Sequence, residues 1–397
     1  MRLPYQLFCR PPPLPNLVAM TDFQHDIDTI SRIRISTAKV PLHHDISNAK
    51  VFTGRQLPLQ EVPLVFVEID TAQGLSGLGF SYTIRHGAPG LYAHACELAP
   101  LLLGQDPNDI SRLWDKLMWA GVSVGRSGTA VQSIAAFDTA LWDIKARRAG
   151  LPLSKLIGAR RGAVRTYNTS GGYLNESVET IIDNARRSLE AGIGGIKMKV
   201  GLPDELEDLR RVAAVREALP NVPLMVDANQ QWTRTTAHRM IRALDEFRLT
   251  WVEEPLDTHD VEGLARLTST FDSPVATGEM LSSVREHEQL INAGAVDFLQ
   301  PDAPRVGGIS EYLKLVALAE RHQLGIAPHF VMELHVHLAA TTGMESWVEH
   351  FDWLEPAFNE RIETRDGHLV VPTGHGLDLS ISEAARFWTT ASAEFTG

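Results

Sequence analysis

Charged residues recur at the ends of apolar, strand-like runs about one βα unit apart, and this spacing constrains the chain more than any other feature. PLMVDAN ends near Asp227, LTWVEEP near Glu253 and PVATGEM near Glu279, so successive carboxylates are 26 residues apart. GGIKMKVG, with Lys197 and Lys199, precedes them; FLQPDAP with Asp302, LGIAPHF with His329 and SWVEHF with Glu349 follow. In a (β/α)₈ barrel every strand ends at one rim, and that rim carries the chemistry. Side chains far apart in the chain would then meet in one pocket.

The rest of the chain fits around such a barrel. At 397 residues it suits two domains, one of barrel size. From Ile30 to Thr83 the runs ISRIRISTAKV, VPLVFVEIDT and SGLGFSYT read as strands. The polar stretch HHDISNAKVFTGRQLPLQ between the first two is too long for a tight hairpin. From Gly87 to Gly150 the pattern turns helical, as in TAVQSIAAFDTALWDIKARRAG, so this part is an α+β unit. From Val164 onward strands and helices alternate. PDELEDLRRVAAVREALP places Leu206, Leu209, Val212, Val215 and Leu219 at helical spacing behind the start signal of Pro203 and Asp204. Eight strand-like runs between TYNTS and SWVEHF predict a barrel. The expected division is a flexible extension over 1–29, an α+β capping domain over 30–155, a barrel with the active site over 156–370, and a segment over 371–397 returning to the cap. Pro11, Pro12 and Pro13 interrupt the first residues, so no secretory leader is read there.

Composition excludes several classes. A net charge of −12 with no basic stripe argues against a nucleic-acid partner. No apolar run reaches membrane-spanning length, so no membrane partner is expected. Cys9 and Cys96 cannot build a disulfide framework, and a reducing cytoplasm is expected.

Any single strand-end Asp or Glu could be a salt-bridge partner or helix cap. Three of them, Asp227, Glu253 and Glu279, converging in one barrel would repel each other unless a cation neutralises them. Hard oxygen ligands without a neighbouring cysteine favour Mg²⁺ over zinc. Glu254 competes with Glu253, because strand alternation lets only one of them face the barrel mouth.

Lys197 and Lys199 share one face of their strand. A surface edge strand would explain them without chemistry. Facing a barrel centre, a lysine beside another cation and a metal would lose its proton readily, as a general base must. Asp302 on one nitrogen of His329 would fix its tautomer and raise the basicity of the other. Glu349 could donate to an oxyanion if a dry pocket kept it protonated. His335 and His337 form an HxH after the seventh barrel strand, where packing or surface histidines are expected rather than a metal pair.

These motifs, KMK, VDAN, EEP, TGE, QPDAP, APH and VEHF in order, resemble the mandelate racemase subgroup of the enolase superfamily. The resemblance implies an α+β cap over a modified TIM barrel, (β/α)7β, and one Mg²⁺ per site that holds a substrate carboxylate. It implies Asp227, Glu253 and Glu279 as ligands, Lys199 as one base, Asp302–His329 as the base on the opposite face, and Glu349 as enediolate partner. Lys197 would meet the substrate carboxylate. NAKVFTGRQ, GFSYTIRHG, WAGVSVGRSG and YNTSGG are further similar to the L-talarate/galactarate dehydratases of that subgroup. That likeness implies a small sugar diacid as substrate, contacted by Lys50, Arg85, Lys197, Asn229 and Glu349. Ile84 stands where that group's pattern has a lysine.

The expected activity is therefore removal of the proton α to a carboxylate and loss of the β-hydroxyl, with epimerisation open to an enzyme having a base on each face. A racemase or another acid-sugar dehydratase, a Schiff-base aldolase-type barrel on Lys197 or Lys199, and a non-catalytic sugar-acid binder are the alternatives. A homo-oligomer is expected.

Overall fold

The computed structural model describes residues 28–397. The N-terminal extension up to residue 27, with Cys9, lies outside the described residues.

Three long strands open the chain: β1 (Ile30–Ile46), β2 (Leu59–Thr71) and β3 (Ser76–Tyr82). They pair antiparallel in sequence order. Alternation splits their apolar residues between two cores. Ile33, Ile35, Val65 and Val67 pack with Leu91, Leu113 and Phe137 of the cap helices, while Leu64, Phe66, Phe80 and Tyr82 join the core shared with the barrel. The twenty-residue helix Thr129–Arg148 lies along β3. A Cβ on Gly79 would sit 1.9 Å from the Ala136 carbonyl oxygen, so only glycine admits that approach.

Eight parallel strands follow: β4 (Ala163–Asn168), β5 (Gly195–Lys199), β6 (Leu224–Asp227), β7 (Trp251–Glu253), β8 (Val275–Thr277), β9 (Phe298–Leu299), β10 (Gly325–Ile326) and β11 (Trp347–His350). They are hydrogen-bonded in chain order from β4 to β10, and β11 pairs with β4. A single parallel bridge between Ile326 and Ser346 completes the ring. Helices separate successive strands as far as Met332–Ala339, and none stands directly behind β11, which gives a (β/α)7β barrel. A hairpin, β12 (Thr364–Arg365) and β13 (His368–Val370), adds to β4 on its other side. The last strand, β14 (Thr389–Thr396), returns to pair with β1.

The helix behind β5 shows how sequence period and packing diverge. It spans Glu205–Ala218, and Asp204 caps it by accepting from the Leu206 amide. Val212 and Val215 are buried as their spacing predicts, but Leu206 is 62% exposed. The inward place is taken instead by Asp208, which accepts from the Gly201 and Leu202 amides at the end of β5. A polar group satisfying two loop amides displaced the apolar one.

Candidate active site

One residue from nearly every barrel strand fills the interior: Tyr167, Met225, Trp251, Ala276, Phe298, Ala327 and Trp347 form a single cluster. Two residues further along the chain, at or just past the strand ends, stand Thr169, Asp227, Glu253, Gly278, Gln300, His329 and Glu349. Period-two alternation thus stacks a polar layer on an aromatic floor. Lys197 and Lys199 of β5 enter the same layer.

Asp227, Glu253 and Glu279 are buried, and one carboxylate oxygen of each lies within 4.8 Å of the others. Glu254 is excluded from this cluster. Its backbone turns to φ 42°, and its Oε1 accepts from Gln230 Nε2 at 2.5 Å. Two of the three carboxylates are steadied by their own surroundings: the Asn229 amide donates to Asp227 at 2.7 Å and the Trp251 indole to Glu253 at 3.0 Å. Burial disfavours the charge on Glu253, and Asp227, Glu279 and Glu349 add to that, so its carboxyl is raised even against the Lys197 ammonium. Burial also works against Asp227, but Lys199 and Lys197 outweigh it and lower this carboxyl. Three crowded hard oxygens, one of them short of counter-charge, are a donor set that fits a divalent cation.

Lys197 is fully enclosed, with Nζ 2.6 Å from Glu253 and 2.7 Å from Glu349. Lys199 contacts Asp227. Burial opposes both ammonium charges, yet the surrounding carboxylates prevail and raise both lysines. For Lys199 the Asp227 carboxylate outweighs its lysine neighbour. A cation bound by the three carboxylates would offset the pull that keeps Lys199 charged.

The expected pair is formed on the other side of the ring. His329 Nδ1 lies 2.9 Å from Asp302 Oδ2, and its Nε2 lies 3.5 Å from Glu279. Burial resists the imidazolium, but Glu279 and Asp302 together raise His329. Glu349 departs from expectation. Its Oε1 accepts from Thr169 at 2.5 Å and meets Lys197, and its Oε2 accepts from the Phe330 amide at 3.1 Å. Burial favours the protonated acid, but Lys197 and His329 overcome it and lower the carboxyl. The dry pocket did not keep Glu349 neutral because it also brought a lysine within contact.

Two partners of the Asp302–His329 pair escaped sequence reading. The Tyr82 hydroxyl, from the end of cap strand β3, donates to Asp302 Oδ2. Arg305 Nε in turn donates to the Tyr82 oxygen at 3.2 Å and sits 3.8 Å from Asp302. Arg305 could have been suspected, being three residues after Asp302 in a strand-end turn. Nothing in the sequence joins Tyr82 to a residue 220 positions away.

Above this layer is a cavity of about 240 Å³ between cap and barrel, reached by Lys197, Lys199, Asn229, Glu279, Arg305, His329 and Glu349 from the barrel. Lys50, Ile84, Arg85 and Gln132 reach it from the cap. Lys50 sits on the short helix Ala49–Phe52, and its ammonium has no ion-pair partner among the described residues. Arg85, at φ 73°, donates from Nε to the Leu57 carbonyl at 2.8 Å. Burial alone lowers its guanidinium.

The HxH histidines are interior rather than surface residues. Both are buried in the helix Met332–Ala339. His337 Nε2 faces the Leu377 carbonyl at 3.1 Å, and His335 bridges two backbone groups. Burial lowers each to about 4, so both are neutral.

Cap, barrel and the acid–base layer between them define a class. Residues 50–158 match the N-terminal domain of the mandelate racemase/muconate lactonizing enzymes, and residues 180–385 match the enolase C-terminal domain-like family. The chain belongs to the enolase superfamily. It is 56% identical over 369 residues to the L-talarate/galactarate dehydratase of Salmonella typhimurium LT2, covering 93% of each chain. The crystal structure of that enzyme with Mg and L-lyxarohydroxamate superposes at a TM-score of 0.92, over 93% of this chain and 95% of that one. L-Talarate dehydratase from Polaromonas sp. JS666, complexed with Mg and L-glucarate, is 58% identical with a TM-score of 0.91, over 93% of this chain and 100% of that one. More distant is the 3,6-anhydro-alpha-L-galactonate cycloisomerase of Streptomyces coelicolor, 35% identical over 90% of this chain and 99% of that relative. Among the described residues no helix is long and apolar enough to cross a membrane.

Proposed function

We propose that the chain is a magnesium-dependent dehydratase of six-carbon sugar diacids, galactarate and L-talarate, able also to interconvert epimers. The observation that carries this reading is the placement of two proton-transfer groups across the ring from each other. Lys199 ends β5, while His329, backed by Asp302, follows β10; the two strands are three apart one way round the ring and five the other. Both side chains reach the same cavity.

Asp227, Glu253 and Glu279 would hold the magnesium ion, which supplies a Lewis acid for the substrate carboxylate and for charge that grows there. Lys199 or His329 takes the proton α to that carboxylate, according to the epimer presented. The electrons of the broken C–H bond move into the carboxylate as an enediolate, beside the Lys197 ammonium that Glu349 and Glu253 hold in place. Those electrons then expel the β-hydroxyl: its C–O bond breaks, the oxygen takes a proton from the His329 imidazolium, and water leaves. The remaining enol rearranges to the keto-deoxy diacid. Delivery of a proton from the opposite face to the enediolate instead yields the epimer.

Lys50 and Arg85, supported by Asn229 in the layer below, receive the distal part of the substrate, where a second carboxylate needs cationic partners. The test is turnover of a panel of aldaric and aldonic acids by the Mg²⁺-loaded enzyme. Galactarate or L-talarate should be preferred; an aldonic acid consumed as fast as any aldarate would refute the diacid assignment. A cytoplasmic setting and a homo-oligomer belong to the same reading. Cys96, without a disulfide partner among the described residues, fits the first, and exposed Trp119 and Val124 on the cap fit the second. A monomeric mass by light scattering, or the protein recovered outside the cytoplasm on cell fractionation, would contradict them.

A further inference from the structure

The two segments that carry the Asp302–His329 pair are tied together by a third residue. Asp302 caps the short helix Ala303–Val306, accepting from the Arg305 amide. The first amide of that turn, Ala303 N–H, donates to His335 Nε2 at 3.0 Å. Because Nε2 accepts, the neutral ring carries its proton on Nδ1, and this faces the Phe330 carbonyl at 3.1 Å. One imidazole therefore bridges the residue after Asp302 to the residue after His329. The ring is fully buried and stacks on Tyr312 with centroids 5.8 Å apart. The segment it grips from the His329 side is strained: Phe330 and Val331 have φ of 59° and 25°. Non-glycine residues hold such angles only when their surroundings over-determine them. The Phe330 peptide is pinned at both ends, its amide by Glu349 and its carbonyl by His335.

We propose that His335 is a positioning residue for His329, setting the separation of the two segments and so enabling proton transfer on that face alone. This rests on the two-base reading above. Lys199 is held from β5 by Asp227 and has no link to His335. Loss of the bridge therefore affects one face of the substrate and spares the other, which a general packing role would not do. A displacement of about 1 Å at a reacting group lowers rates on the order of a hundredfold.

The experiment measures solvent deuterium incorporation at the α-carbon of each diacid epimer, with Mg²⁺ present, for wild type, His335→Leu and His335→Gln. His335→Leu removes both bonds and should slow His329-dependent exchange at least tenfold, with Lys199-dependent exchange within about twofold of wild type. His335→Gln keeps an acceptor for Ala303 and should recover part of the loss on the same face. Equal slowing of both faces, or no change on either, overturns the proposal. If His335→Leu fails to fold, His335→Gln decides alone, since its deficit must fall on the His329 face. Wild-type enzyme that exchanges no diacid would instead sink the two-base reading and carry this inference with it.

Discussion

The barrel floor of the cavity and its cap-side wall both present charge, but they hold it differently. On the floor the ions are buried and held in close pairs: Lys197 with Glu253 and Glu349, Lys199 with Asp227, His329 with Asp302. On the wall, Lys50 and Arg85 stand on a short helix and a turn, and among the described residues neither has a carboxylate within 4 Å. Charges locked to strands are preorganised for a transition state. Peripheral charges without a close counter-ion are available to meet an anionic ligand. The contrast assigns rate to the floor and choice of substrate to the wall.

The largest effect expected from this contrast is at the carboxylate cluster. Asp227→Asn, Glu253→Gln and Glu279→Gln should each lower kcat by about 10³-fold or more, and chelation should abolish turnover until Mg²⁺ is restored. Full activity in rigorously metal-free buffer would remove the floor from the chemistry.

His329→Asn should be nearly as severe, and one-sided only in proton exchange. Dehydration of both α-epimers should fall by about 10²- to 10⁴-fold, because His329 also protonates the departing hydroxyl, while solvent exchange of the epimer deprotonated by Lys199 persists. Wild-type exchange of every epimer in both His329→Asn and Lys199→Ala would show that neither is a base.

On the wall, Arg85→Ala or Lys50→Ala should raise KM for galactarate by more than about tenfold, the worth of a charge-assisted hydrogen bond. A monoacid should be much less affected, and kcat should move less than KM. A loss falling on kcat for both substrates would erase the distinction between wall and floor.

The smallest effect on turnover concerns how the two parts dock, where the readout is stability. Asp138, in the cap helix, caps the barrel helix Ile309–His322 through the Ser310 amide and hydroxyl at 2.9 and 2.6 Å. Burial pushes its carboxyl up to about 7. An acid raised above its unfolded value of about 4 stabilises the fold while protonated. That contribution is complete below pH ~4 and gone as pH rises through ~7. Wild type should therefore lose stability relative to Asp138→Asn across this window, by on the order of 1 kcal/mol per pH unit. Parallel Tm curves for the two proteins would show that Asp138 does not titrate there.

Much of this site was legible before any coordinates because barrel strands recur at a nearly fixed chain interval and end at one rim. Asp227, Glu253 and Glu279 needed only that interval and the apolar runs ahead of them. Lys197 and Lys199 needed only the two-residue period of a strand. The choice of Glu253 over Glu254 was different: it depended on a backbone turn to φ 42° just past β7, which apolar patterning does not encode. Tyr82 joins Asp302 only because the cap sheet packs on the barrel mouth. Protonation lay further still from the sequence. The charge on Lys199 and Glu349 is set by the ions a few ångströms away, whatever their distance along the chain. Strand period and spacing, which are local and repetitive, were the sequence's to determine; the pairing of charges across strands and between domains was decided only by the tertiary structure, since electrostatic energy depends on distance in space.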